Sequence, residues 1–145
     1  DVQYVAAKPG VLLDHKRITL RVRPGADAAK RAEVMHDWHK AQLHAVLPEI
    51  IRLWEPRLGV NVHGYYLQRM KTRWGSCNHL RGHIRLNTEL VKKPRHLLEY
   101  VVVHEMAHLL APTHDARFIA VLDEHYPRWR EARAELNALP LGAVS

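Results

Sequence analysis

A single cysteine, Cys77, is all the thiol this chain carries, so no intramolecular disulfide can staple it. A reducing compartment follows more naturally than a secreted, disulfide-rich scaffold. Long hydrophobic runs are missing too. A stretch such as Tyr100 to Val103 is far shorter than a bilayer crossing, and the N-terminus lacks the basic segment and apolar core of a secretory signal. The expectation is a soluble cytoplasmic protein. Neither internal repeats nor low-complexity tracts occur, which sets aside solenoids and flexible linkers. Acidic residues are in deficit, 15 against 22 lysines and arginines, for a net charge of +7. Such a field favours anionic partners but names no ligand. Most basic residues are scattered as on a solvated surface, apart from the denser Arg69, Lys71 and Arg73.

What is present fits a globular domain: 47% of residues are hydrophobic and 26% charged. A length of 145 residues suits one compact domain, read as 1–145. The chain opens at once on the strand-like "VQYVAA", which reads as a trimmed piece of a longer protein with part of an N-terminal sheet missing. N-terminal strands are expected over 1–25, where "ITLRVRPG" alternates Ile18, Leu20 and Val22 with polar residues and stops at Pro24-Gly25. A long supporting helix is expected over 26–58 from apolar residues such as Trp38, Leu43, Leu47, Ile50, Ile51, Trp54 and Leu58, with a bend at Pro48. Residues 59–88 read as a meander of two or three antiparallel strands: Val60 to Gln68, a short piece at Lys71 to Trp74, and Gly82 to Leu86. Pro94 then begins a helix that Pro112 stops. Helical patterns resume over Asp115 to Glu124 and Pro127 to Leu139, so residues 94–139 form the C-terminal helices.

The segment "VVVHEMAHLLAPTHDARF", 101–118, carries the chemistry. His104 and His108, four apart on a helix, lie on one face and can aim both imidazoles at one ion. Glu105 sits one residue round the helix, within reach of a water rather than of the ion. This is H-E-x-x-H, two metal-binding histidines and a general base. His114, beyond a short turn, would complete the three protein ligands of a catalytic site; Glu124 or His125 are alternatives, and His114 could instead cap the following helix. Imidazole ligands prefer zinc, with cobalt, nickel or manganese able to substitute. The other histidines, 15, 36, 39, 44, 63, 79, 83, 96 and 125, lack such spacing and read as surface or hydrogen-bonded residues.

Around the motif, "MKTRWGSCNHLRGHIRLNTELVKKPRHLLEYVVVHEMAHLLAPTHDARF", Met70 to Phe118, resembles the YgjP-like metal-dependent hydrolases, a group of SprT-like minimal zincins. The R-W-G-S-C segment, the I-x-L-N strand and H-E-x-x-H-x5-H appear in the family's order. The resemblance implies zinc on His104, His108 and His114, with Glu105 catalytic. It implies an α+β zincin-like fold, gluzincin-like in its core. A small, mostly antiparallel sheet would pack on the supporting helix and the motif helix, followed by C-terminal helices. The expected activity is a zinc metallopeptidase acting on a peptide or protein substrate.

Arg73, Trp74 and Ser76 are read as substrate-binding if the "RWGSC" strand lines the cleft, and as architecture otherwise, with Trp74 anchored in the core and Gly75 allowing close backbone approach. Tyr65, Tyr66, Arg73 and His96 are candidate oxyanion donors, while Tyr100 is read as packing and Cys77 as a small buried filler. The alternative activity is hydrolysis of a nucleoside triphosphate such as UTP to release pyrophosphate, which the basic residues suit. Against it stand the lack of a phosphate-binding G-x-x-x-x-G-K-[ST] loop and of a carboxylate cluster. A third reading is an SprT-like protease or binding domain associated with DNA, for which no stacking pattern or zinc ribbon appears.

Overall fold

The computed structural model describes residues 2–4, 10–14 and 17–22 as strand backbone and 27–138 in full; the Pro24-Gly25 turn, His15 and Leu139 lie outside the described residues. Two compact units result, Asp1–Ala45 and Val46–Ser145. The first holds a three-stranded sheet of β1 (Val2–Tyr4), β2 (Gly10–Asp14) and β3 (Arg17–Val22) in the order β1-β3-β2. Strands β2 and β3 pair antiparallel, with Leu12 opposite Thr19, whereas β1 runs parallel to β3.

Helix α1 (Ala28–Leu58) begins at Asp27, whose carboxylate accepts the Lys30 amide at 2.9 Å, the bond an N-terminal cap provides. It continues through Pro48 and Pro56, and buries Leu47, Ile50, Ile51, Trp54 and Leu58 at helical spacing. Gly59 ends it: at φ +70° it accepts the left-handed conformation that lets its own amide and that of Val60 reach the Glu55 carbonyl. The Glu55 carboxylate then takes the Val62 amide at 2.9 Å, which sets the exit of the chain.

In the second unit β4 (Gly64–Gln68), β5 (Gly75–Asn78) and β6 (His83–Asn87) form a mixed sheet in the order β4-β6-β5. Here the expected meander is corrected. β5 and β6 are an antiparallel hairpin, closed by Asn78 accepting the Gly82 and Arg81 amides, but β4 lies parallel on the far side of β6. The piece expected at Lys71 to Trp74 is not a strand; it belongs to the connection from β4 to β5. Buried Asn87 organises that connection. Its amide nitrogen donates to the carbonyls of Met70 (2.8 Å) and Arg73 (2.7 Å), and its backbone amide donates to that of Trp74 (3.0 Å). Its side-chain oxygen caps the short 3₁₀ turn Thr88–Lys92 by accepting the Glu89 amide.

Helix α2 (Arg95–Ala107) is buried nearly all round, from Leu97 and Leu98 through Tyr100 to Ala107, as a central core helix must be. The sheet, α3 (Ala116–His125) and α4 (Trp129–Asn137) pack on it, and Trp54 of α1 donates its indole N–H to Glu99 at 3.2 Å. It ends earlier than Pro112 because its last turn tightens: the amides of His108, Leu109 and Leu110 each bond three residues back. No helix among the described residues is long and apolar enough to cross a membrane.

Candidate metal centre

The last turn of α2 carries His104 and Glu105, His108 caps it, and the loop to α3 returns His114 over them. Ligand atoms of the three histidines lie within 4.8 Å of one another. Nε2 of His114 stands 3.2 Å from Nε2 of His104 and 2.9 Å from Nε2 of His108. Ligands of a tetrahedral zinc ion, each at 2.0–2.1 Å, stand about 3.4 Å apart, so these two separations are close to what such an ion needs. The opposite ring nitrogens of His104 and His108 are engaged. Nδ1–H of His108 donates to the Ala111 carbonyl at 3.1 Å, which leaves Nε2 of the neutral ring as a bare acceptor, and Nδ1 of His104 meets the Tyr100 hydroxyl at 3.4 Å. The donor set fits a divalent ion that imidazole suits.

Helix α3 frees His114 for this position, because Asp115 supplies the cap. Its carboxylate accepts the amides of Arg117 (3.1 Å) and Phe118 (3.2 Å) and the Thr113 hydroxyl (2.8 Å), and these bonds, that of Thr113 foremost, hold it below the usual carboxylate range. The alternatives Glu124 and His125 do not join the cluster; they face each other at 3.6 Å further along α3.

Phe118, the chain's one phenylalanine, is a site residue that sequence reasoning missed. Its ring lies 4.4 Å from that of His108 in a stacked arrangement, and 4.9 and 5.0 Å from those of His104 and His114. The signal was its place four residues after His114, in the first turn of α3.

Glu105 is fully buried, and neither carboxylate oxygen has a hydrogen-bond partner among the described residues. Burial pushes its pKa well above the ordinary value, and the positive charge of Arg73 offsets this only in part. Gly75 of β5 is its wall. A Cβ there would come within 2.9 Å of Oε2 of Glu105, 3.0 Å of its Cγ and 3.1 Å of the Arg85 carbonyl oxygen, so only glycine lets the strand lie this close.

The "RWGSC" residues divide. Arg73 is exposed, near enough to act on Glu105. Trp74, expected at the substrate, is instead 1% exposed in the core, where so large an apolar ring is most stable; the architectural alternative describes it. Ser76 on β5 lines a separate cavity of about 380 Å³ on the sheet, with Tyr66, Met70, Asn78 and Arg85. Cys77 is half-buried, and burial followed by the nearby Glu105 pushes its thiol up to about 12, which disfavours the thiolate. Tyr66 stands on β4 against His83 and His96 bonds Glu135 at 2.8 Å, which places neither with the histidine cluster. Tyr100, read as packing, also touches His104 of the cluster. A cavity of about 270 Å³ opens beside the cluster, lined by Tyr100, His104, His114, Phe118, Ile119, Trp129 and Arg133.

A small sheet laid on a motif helix, with three histidines at its end, is the architecture of zincin-like metallopeptidases. The chain belongs to the YgjP-like family, whose metallopeptidase-domain model matches residues 2–139. Among solved structures, the metallopeptidase zymogen of Pyrococcus abyssi abylysin superposes with a TM-score of 0.62 at 18% identity, covering 68% of this chain and 98% of that one. The zymogen of Methanocaldococcus jannaschii jannalysin gives 0.54 at 21% identity, covering 63% and 93%. At these identities the likeness establishes the fold. No curated protein sequence matches the chain.

Proposed function

We propose that the chain is a zinc metallopeptidase, with His104, His108 and His114 holding the ion and Glu105 as the general base. One observation carries this: three imidazole nitrogens converge at 2.9 and 3.2 Å beside a fully buried carboxylate without a hydrogen-bond partner among the described residues. Zinc, when bound, supplies Lewis acidity for a scissile carbonyl and lowers the pKa of water. Glu105 takes a proton from the attacking water on a carboxylate oxygen, the new C–O bond forms as the C–N bond breaks, and Glu105 passes that proton to the departing amine nitrogen. Its raised pKa suits the first half of this shuttle, since a more basic carboxylate accepts the proton more readily. Strand β5, at the edge of its sheet, offers an extended peptide a backbone to pair with, next to Arg73.

A second reading is supported by the exposed Arg69, Lys71 and Arg73 on the connection to β5, which would suit the polyphosphate of a nucleoside triphosphate. The deciding experiment runs zinc-loaded protein on a quenched peptide library and on UTP, beside Glu105→Gln. Peptide cleavage that disappears in Glu105→Gln while bound zinc is unchanged is expected. Wild-type activity in Glu105→Gln overturns the mechanism, and pyrophosphate release without peptide cleavage makes the nucleotide the substrate.

A further inference from the structure

The 270 Å³ cavity shares His104 and His114 with the metal centre, and its remaining walls come from three helices. Phe118, Ile119 and Trp129 make it apolar, Tyr100 of α2 also lines it, and the exposed Arg133 of α4 completes it. Arg133 has neither an ion pair nor a hydrogen bond among the described residues. The acids on its own helix are taken, Glu131 by Arg128 at 2.7 Å and Glu135 by His96 at 2.8 Å, and Asp123 of α3 is held by Arg130 at 2.8 Å. An uncommitted guanidinium therefore borders an apolar pocket that opens on the reacting centre. A volume just under the roughly 300–1,000 Å³ of whole-ligand pockets suits one side chain of a longer substrate.

We propose that this cavity is a subsite for a carboxylate on an apolar stem, with Arg133 pairing the carboxylate and Phe118, Ile119 and Trp129 packing the stem. A guanidinium matches the planar carboxylate with two parallel hydrogen bonds, whereas one cation against apolar walls is a poor match for a polyphosphate. In a substrate the carboxylate comes from an acidic side chain or from a free C-terminus. The use of the subsite in catalysis rests on the peptidase reading; its ligand chemistry does not.

The test compares 3-phenylpropionate with its amide, titrated into wild-type protein with and without zinc and followed by the Trp129 indole N–H resonance, assigned through Trp129→Phe. The acid is expected to bind roughly tenfold or more tightly than the amide in both metal states, and Arg133→Met to erase the difference. Equal affinities, a preference that survives Arg133→Met, or one that exists only with zinc overturns the proposal. Peptides differing by Glu against Gln, each as free acid and as amide, separate the two sources. An Arg133-dependent preference for Glu in amidated peptides assigns the side chain, and cleavage that requires the free acid assigns the C-terminus. If no peptide is cut while the probe still discriminates through Arg133, the subsite stands and the peptidase reading falls.

Discussion

Glu105 shows how far one residue's surroundings decide its chemistry. An exposed glutamate in this sequence would be an ordinary anion; enclosed between α2 and β5 it is desolvated and proton-hungry. Gly75 maintains that enclosure, because any side chain there meets the carboxylate and the Arg85 carbonyl. The backbone oxygen is fixed by its sheet, so in Gly75→Ala the carboxylate must shift. We expect Gly75→Ala to lower kcat on the order of a hundredfold with bound zinc still near one per chain, measured by steady-state kinetics and metal analysis. Wild-type kcat in this variant would show that Glu105 tolerates displacement and would remove the glycine from the argument. Phe118 contributes at the same scale, since its ring packs against all three imidazoles and limits their rotation.

Elements place these residues by a few polar junctions between helices. Asp123 of α3 accepts the Trp129 indole N–H and the Arg130 guanidinium, both at 2.8 Å, which ties α3 to the start of α4. Those bonds, the Trp129 one first, hold its carboxyl below the usual value of 3.8. A depressed pKa means that the folded state favours the ionised form. The stability it contributes is therefore complete above the ordinary carboxylate range and disappears as pH falls through the lower folded value. Asp123→Asn should unfold at lower urea than wild type at pH 7, and the gap should close on acidification below 3.8. A gap that widens toward acid would mean that the charge on Asp123 is not what joins the helices. Trp129, held by this junction, is also a wall of the cavity beside the histidines, so the same bond shapes the proposed subsite.

For the whole molecule, the candidate metal centre draws on two neighbouring segments, because α2 with its cap and the loop before α3 together supply the three clustered histidines. An ion that binds only the folded state stabilises it by mass action, about 4 kcal/mol when free ion stands a thousandfold above Kd. Zinc should therefore raise the melting temperature, a chelator should reverse the rise, and His104→Ala should lose the response. Equal zinc responses in wild type and His104→Ala would place the ion elsewhere. Two compact units are visible at this scale, and the centre with its flanking cavity lies wholly in the second, Val46–Ser145.

Much of this was legible in the sequence wherever the information is local. Four-residue spacing alone places His104 and His108 on one face, the apolar period marks α1 and α2, and Asn78 with Gly82 encodes the β5–β6 hairpin, since each depends on neighbours a turn away. Strand order was not legible: β4 pairs parallel with β6, and no local pattern says on which side of a hairpin an earlier strand will settle. Tertiary structure also chose His114 over Glu124 and His125, sent Trp74 into the core, pressed Gly75 against Glu105 and brought Arg133 to the histidines. Those choices depend on how α2, α3, α4 and the sheet pack together. Periodicity tells each element which face to bury, and only the packed whole decides what that face meets.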